Sequence, residues 1–218
     1  MRVRPRFLQV TCSMREWFDL ARRSVCAGLL IGCAGFAYTM TGGVVGAFLF
    51  CFGLFGVLYG KWALYTGYAG SFAWCDKKDW GRLFYILFGN LIGVLALAAI
   101  LAVSSDATIA KANEIVSKIV ADRTSSEWWQ LVIRGIGTGF IMEMAVRYGR
   151  EAKYMTLLLG VPVFIFCGLP HCVADIFYYG VDWFTAGGNP VVYLAPWISS
   201  IIGNLIGCNV PRMLTVKE

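Results

Sequence analysis

The sequence is short of charge, of histidine and of paired cysteines. Only 15% of its 218 residues are charged, whereas 58% are hydrophobic and the mean hydropathy is +0.66. This balance argues against a water-soluble domain of this length. The one histidine cannot build a zinc site or a bis-histidine haem within a subunit, and the eight cysteines form no CxxC pair. We therefore predict a membrane protein with no cofactor and no metal site, whose cysteines are buried free thiols.

Six stretches are long and apolar enough to cross a bilayer, which takes about 20 residues. They lie near 24–44, 45–74, 82–103, 128–148, 154–180 and 191–213. The first is not a cleaved signal peptide, because further apolar spans follow it at once. The predicted organisation is a cytoplasmic N-terminal segment at 1–23, a transmembrane domain at 24–213 and a cytoplasmic tail at 214–218.

Basic residues mark one side of this six-span arrangement. They precede the first span, separate the second from the third and the fourth from the fifth, and follow the sixth, as Arg22, Arg23, Lys77, Arg147 and Lys217 illustrate. Because lysine and arginine in short loops stay on the cytoplasmic side, both termini are predicted to be cytoplasmic, in the cell (inner) membrane. The net charge of +6 is thus a topology signal and does not indicate nucleic-acid binding.

One pentapeptide, Gly-Asn-Leu-Ile-Gly, occurs twice. It spans 89–93 in the third apolar segment and 203–207 in the sixth, with Asn90 and Asn204 at its second position. Three crossings separate the copies, so the second runs through the membrane in the opposite direction, as in an inverted repeat. The halves would be about 24–103 and 128–213. Coincidence remains the alternative, since glycine, leucine and isoleucine are abundant here.

Helix breakers interrupt the second and fifth spans, at 60–67 and at 168–172. A broken helix leaves free amides at the start of the next half-helix, and at membrane depth these are tolerated only around an enclosed cavity. Such helix starts carry positive partial charge, so a small anion is the expected guest. We predict an all-α fold of three plus three helices, whose broken second and fifth helices surround a pathway.

Ionisable residues at membrane depth are costly and therefore mark candidate functional sites. His171 follows Pro170 at the fifth-span break, where an imidazole can pass a proton to a weak-acid anion. A structural histidine at a helix junction is the alternative. Asp175, one turn further on, is placed to orient the ring. Lys61 and Glu143 either form a buried pair or extend to the membrane interface.

Several motifs resemble those of the formate/nitrite transporter family. Leu-Tyr-Thr-Gly at 64–67 resembles its Leu-Phe-Thr-Gly break, and Phe-Cys-Phe-Gly-Leu at 50–54 is similar to its Phe-Ser-Leu-Gly-Leu run. His-Cys-Val-Ala-Asp-Ile-Phe at 171–177 resembles its His-Ser-Val-Ala-Asn-Met-Phe motif. The paired pentapeptides match its third and sixth helices, and the resemblance runs from about residue 20 to the end.

The resemblance implies a fold, an assembly and a set of roles. Members are aquaporin-like six-span subunits that form homopentamers in membrane lipid, and each subunit has its own pore for a small monovalent anion such as formate or nitrite, with or without a proton. His171 would be the central histidine and Thr66 the hydroxyl at the tip of the broken second helix. Leu54 and Phe164 would form a cytoplasmic constriction, Phe50 would contribute to an outer one, and Tyr65 would also be a constriction residue. Arg123 would capture anions in the outer vestibule.

The chain also departs from the family pattern. Ala63, Pro170 and Gly139 replace polar residues, and Asp175 replaces an asparagine. A non-conducting subunit, or a neutral-solute channel of aquaporin type, therefore stays open beside the anion channel, although the sequence has no Asn-Pro-Ala turn. An enzyme is not expected, because one histidine and no carboxylate cluster leave little for catalysis.

Overall fold

The computed structural model describes residues 14–71 and 76–214, and within them it contains nine α-helices, one 3-10 turn and no strand. The helices are α1 (Met14–Thr41), α2 (Gly43–Tyr59), α3 (Tyr65–Ala69), α4 (Lys77–Ala102), α5 (Asp106–Ser125), α6 (Trp128–Gly149), α7 (Met155–Phe166), α8 (Ala174–Ala186) and α9 (Leu194–Leu214), with the 3-10 turn at Pro190–Tyr193. The all-α prediction is confirmed. Parts of the predicted cytoplasmic segments, 1–13 and 215–218, lie outside the described residues, as do Cys12 and Cys75.

Three helical segments of the described chain are long and apolar enough to cross a membrane: α1, α4 and the run Pro190–Leu214. The helices α2 and α7 are apolar but shorter, because each ends at a break. The 22-residue α6 is long enough but carries three charged residues, Arg134, Glu143 and Arg147. Large apolar side chains such as Phe52 and Phe88 are more than 60% exposed, as expected for helix faces that contact lipid.

The two breaks share one backbone geometry. Lys61, after α2, has a φ of 51°, and Gly168, after α7, has a φ of 59°. The next residue in each case closes the helix end, since the Trp62 amide donates to Val57 O at 2.9 Å and the Leu169 amide donates to Phe164 O at 3.0 Å. Both are Schellman-type helix ends, which a left-handed residue makes possible. The interruptions expected in the second and fifth apolar segments are therefore present.

An arginine of a neighbouring helix binds the carbonyl of each left-handed residue. Arg23 of α1 donates from Nε to Lys61 O at 3.0 Å. Arg134 of α6 donates from Nη2 to Gly168 O at 2.6 Å. A carbonyl at a helix end has no partner within its own helix, so each arginine satisfies a backbone group that the break leaves open.

The helices cross in backbone contact at two equivalent places. On α1, the space that a Cβ of Gly28 would need is filled by Asn90 O of α4, and on α6 that of Gly139 is filled by Asn204 O of α9. Small residues allow such close approach between helices in a membrane. Gly139, which differs from the asparagine of the family pattern, thus lies where no side chain fits.

The helix α5 is polar, and Arg123 is the residue of this helix to which the sequence analysis assigns a role. It begins after Ser105, whose Oγ accepts from the Thr108 amide at 3.4 Å, and packs against α8 and α1. Its buried residues are Ala112, Val116, Val120 and Arg123, spaced by three to four positions as on one helix face. This docking brings Arg123 to the break between α7 and α8.

Candidate functional site

Asn204 fixes the chain between α7 and α8. Its Oδ1 accepts from the Cys172 amide at 2.9 Å, and its Nδ2 donates to Pro170 O and to Gly135 O, both at 3.0 Å. The side chain is fully buried, and these bonds satisfy all of its hydrogen-bonding groups but one acceptor lone pair. One asparagine therefore joins three elements: the break, α6 and α9.

Asn90 makes the same set of contacts in the other half. Its Oδ1 accepts from the Tyr65 amide at 2.9 Å, and its Nδ2 donates to Ala63 O and to Ser24 O, both at 2.8 Å. The asparagines of the repeated pentapeptide thus have corresponding partners: two backbone groups at a break and one carbonyl on α1 or on α6. A buried network with every partner in place holds its backbone rigidly.

The chain segments that follow the two breaks come together at His171 and Thr66. The Nε2 atom of His171 lies 3.4 Å from Oγ1 of Thr66, and the two residues are 2% and 0% exposed. The Nδ1 atom accepts from the amides of Val173 and Ala174 at 3.3 and 3.1 Å. Because two N–H groups point at Nδ1, that atom carries a lone pair, and the ring proton of neutral imidazole is on Nε2. The site therefore presents an N–H donor beside a hydroxyl.

Apolar side chains enclose this donor pair. The Phe164 ring stacks on the His171 ring with centroids 5.6 Å apart, and Phe50 meets Phe164 edge to face at 6.0 Å. Leu54 and Tyr65 are each 1% exposed. Phe50 and Phe164, which the resemblance assigns to an outer and a cytoplasmic constriction, are thus neighbours in the interior.

Arg123 is part of a buried ion-pair cluster. Its Nε donates to Asp175 Oδ2 at 3.1 Å, and its Nη1 donates to Gly168 O at 3.1 Å and to Asp122. Arg134 donates to Asp122 Oδ2 at 2.7 Å, so two arginines face two aspartates. Arg123, to which the resemblance assigns the capture of anions in an outer vestibule, is only 5% exposed, because α5 docks and buries it.

The same cluster changes the role expected for Asp175. Its carboxylate bonds to Arg123, whereas the ring of His171 is held by the amides of α8, so Asp175 does not orient the ring. At the edge of the cluster, partial burial raises the pKa of Asp122, but hydrogen bonds and charge from Arg134 and Arg123 outweigh it and hold that pKa below its usual value. Both aspartates therefore act as counter-ions of the arginines.

The buried pair considered for Lys61 and Glu143 does not form. Lys61 is exposed at the end of α2, in line with the alternative of an extended side chain. Glu143 is half-buried on α6, against Gly70. Within 14–71 and 76–214 no three His, Cys, Asp or Glu side chains are grouped as metal ligands would be.

Sequence reasoning missed several polar contacts around the breaks. Trp197 Nε1 donates to Cys172 O at 2.8 Å, and Cys208 Sγ donates to Thr66 O at 3.5 Å. Arg150 Nη2 donates to Gly67 O at 2.8 Å. The Cys208 contact had a local signal, because Cys208 directly follows the second pentapeptide, whereas the other two depend on helix packing that no short motif encodes.

Comparisons with known proteins agree on one family. The sequence profile described as Formate/nitrite transporter matches residues 9–215. The structure is similar to a solved structure named "Pentameric formate channel with formate bound", with a TM-score of 0.77 and 20% identity over 93% of this chain and 97% of that one. It is also similar to an "FNT family ion channel", with a TM-score of 0.65 and 20% identity over 89% and 85%. No curated protein sequence matches significantly.

Proposed function

The chain belongs to the formate/nitrite transporter family, and we propose that it passes a small monovalent anion, such as formate or nitrite, across the cell (inner) membrane. Six crossings would be made by α1, α2 with α3, α4, α6, α7 with α8, and α9. The corresponding partners of Asn90 and Asn204 support an inverted relation between the halves. By the positive-inside rule, both termini would be cytoplasmic.

The observation that carries this proposal is the donor pair at the meeting point of the breaks. An anion that lies beside both Nε2–H of His171 and the hydroxyl of Thr66 would receive two hydrogen bonds inside an apolar enclosure. Neutral donors bind an anion less tightly than a fixed cation would. That suits a conducting path, which needs a site that lets its ion leave.

The geometry argues against the proton step expected of His171. A second ring proton would have to occupy Nδ1, where the amides of Val173 and Ala174 already point. Charging the ring would break both bonds and place a cation among apolar side chains. We therefore assign His171 the role of neutral hydrogen-bond donor, and a proton that accompanies the anion would come from another group.

Assembly as a homopentamer is part of the same proposal. The similar formate channel is named as pentameric, and a symmetric ring would bury part of the apolar surface of each subunit while lipid covers the rest. Each subunit would keep its own pathway, because His171 and Thr66 meet within one chain.

The test is flux into liposomes for the wild type, His171→Phe and His171→Gln. Formate and nitrite uptake should fall by more than about tenfold in His171→Phe, which lacks a donor, since a hydrogen bond to a charged group contributes about 1.5–3 kcal/mol. His171→Gln keeps an N–H donor and should retain more uptake.

Other outcomes would overturn the proposal. If His171→Phe transports anions at the wild-type rate, the histidine is not part of the pathway. Glycerol uptake without anion uptake would establish the neutral-solute channel, and a wild type that carries none of these solutes would establish a non-conducting subunit.

A further inference from the structure

Glu143 is a carboxylate inside a membrane helix that the proposed pathway has not used. It lies on α6 two turns before the cytoplasmic end of that helix in the proposed orientation, and its side chain is half-buried. Its carboxylate fills the space that a Cβ of Gly70 would need, just after α3. Within the described part of the chain it has neither a hydrogen bond nor an ion pair, in contrast to Asp175 with Arg123.

The groups that face Glu143 are few. Arg147 and Arg150 on its own helix and Arg212 and Cys208 on α9 interact with it electrostatically. The guanidinium of Arg150 donates to a backbone carbonyl of α3 rather than to the carboxylate. Two further helices pack on α6: α7 has no titratable side chain, and α3 has the tyrosines Tyr65 and Tyr68. These cations attract the anion in the pathway as well as the carboxylate.

Short contacts connect Glu143 to the donor pair. Cys208 O lies 2.9 Å from the same Cβ position of Gly70 that the carboxylate fills, and Cys208 Sγ donates to Thr66 O at 3.5 Å. Next to it on α9, Asn209 donates from Nδ2 to Ala69 O at 2.9 Å, and its Oδ1 is buried without a partner. A buried acceptor without a donor therefore lies on the residue next to Cys208, whose carbonyl borders the same space as the Glu143 carboxylate.

These observations fit a group that gains and loses a proton. An ionised Glu143 opposes the entry of an anion into a low-dielectric interior, whereas a protonated one is neutral and can donate a hydrogen bond. His171 cannot serve this purpose, because the amides of Val173 and Ala174 occupy its Nδ1.

We propose that Glu143 is a proton-binding site at the cytoplasmic end of the pathway, and that its protonation opens this end to the anion. The proton comes from hydronium in the cytoplasmic water, forms an O–H bond on the carboxylate and leaves one water molecule behind. It returns by the reverse step, and no electrons move. The effect on flux rests on the proposed function, whereas proton binding can be measured without it.

The experiment compares anion flux in oriented liposomes while the pH on the cytoplasmic side alone is varied. The substrate itself is a weak acid, so the informative quantity is the rate of the wild type divided by that of Glu143→Gln at each pH. This ratio should be near one in acid and should fall as the pH rises, by up to about tenfold per pH unit, the limit for one titrating group. Glu143→Asp keeps the acid and should keep a pH-dependent ratio to Glu143→Gln.

Glu114→Gln is the matched control, because it makes the same change on an exposed face of α5. Its rate should equal that of the wild type at every pH. A ratio of wild type to Glu143→Gln that stays constant with pH would overturn the proposal.

Infrared difference spectra of the purified protein separate this proposal from the proposed function. On acidification, one component of the protonated-carboxyl band should appear in the wild type and in Glu114→Gln that is missing from Glu143→Gln. If the wild type carries no anion but shows this band, the proposed function fails and proton binding at Glu143 stands. If Glu143→Gln loses no band, proton binding at Glu143 is refuted whatever the flux.

Discussion

Replacing Arg123 by alanine should destabilise the protein rather than weaken anion capture. In the wild type, Arg123 bonds to Asp175 Oδ2 at 3.1 Å, and both side chains are almost fully buried. Alanine would leave a buried carboxylate with no counter-ion, and would leave Gly168 O with Arg134 as its one remaining arginine partner. A free cation in a vestibule would behave in the opposite way, because its removal costs capture and leaves stability unchanged.

The magnitude follows from the burial of the pair. Removing one partner of a buried ion pair costs about 3–5 kcal/mol, because the remaining charge loses its compensation. For a chain of this length each kcal/mol lowers the melting temperature by about 2–4 °C, so Arg123→Ala should melt roughly 6–20 °C below the wild type. Replacing both members by apolar residues of similar size, as in Arg123→Met with Asp175→Leu, removes both charges and should melt near the wild type.

The assay is thermal unfolding of the purified protein in mild detergent, followed by intrinsic tryptophan fluorescence. Lys118→Ala is the control, because it removes an exposed cation from the same helix, α5, and should change the melting temperature by less than about 2 °C. The reasoning is refuted if Arg123→Ala melts together with this control. It is equally refuted if the double variant melts as low as Arg123→Ala.

Two further substitutions test the close helix crossing at Gly139 and the left-handed conformation of Lys61. Gly139→Ala places a methyl group against Asn204 O and should reduce the stability by about 1–3 kcal/mol, which lowers the melting temperature and the flux. Gly81→Ala is the control and should lower neither, because no atom lies within 4 Å of its added methyl group. Lys61→Gly removes a side chain from a residue with a φ of 51° and should raise the melting temperature by roughly 2–4 °C. A lower melting temperature for Lys61→Gly would show that its side chain stabilises the break more than its conformation costs.

The features that could be predicted are those with local causes. Glycine and proline interrupt helices wherever they occur in an apolar run, so the breaks were visible in the sequence. The pentapeptide marked Asn90 and Asn204 as equivalent, and their hydrogen bonds are indeed equivalent. Thr66 and His171 lie near the corresponding breaks, and the structure brings them within 3.4 Å of each other.

The features that could not be predicted depend on how α5 docks. Arg123 and Asp175 are 52 residues apart, and no short pattern connects them. The segment of α5 carries charges of both signs, so from sequence alone it is expected to be a solvated loop. Only the structure shows that one face of it packs on α8. Arg123 was therefore expected to attract anions, whereas the structure shows it in a buried ion pair with Asp175. The residue type does not distinguish these roles, because they depend on burial.

The arginines at the breaks reveal a likeness between the two breaks that the sequence conceals. Both breaks place a left-handed residue at the end of a helix, and each time the carbonyl of that residue needs a donor from outside the helix. The chain meets this need with Arg23 in one half and Arg134 in the other, although the left-handed residues themselves are lysine and glycine. What the two breaks share is a carbonyl at one position that accepts from an arginine of a neighbouring helix, although one carbonyl belongs to a lysine and the other to a glycine.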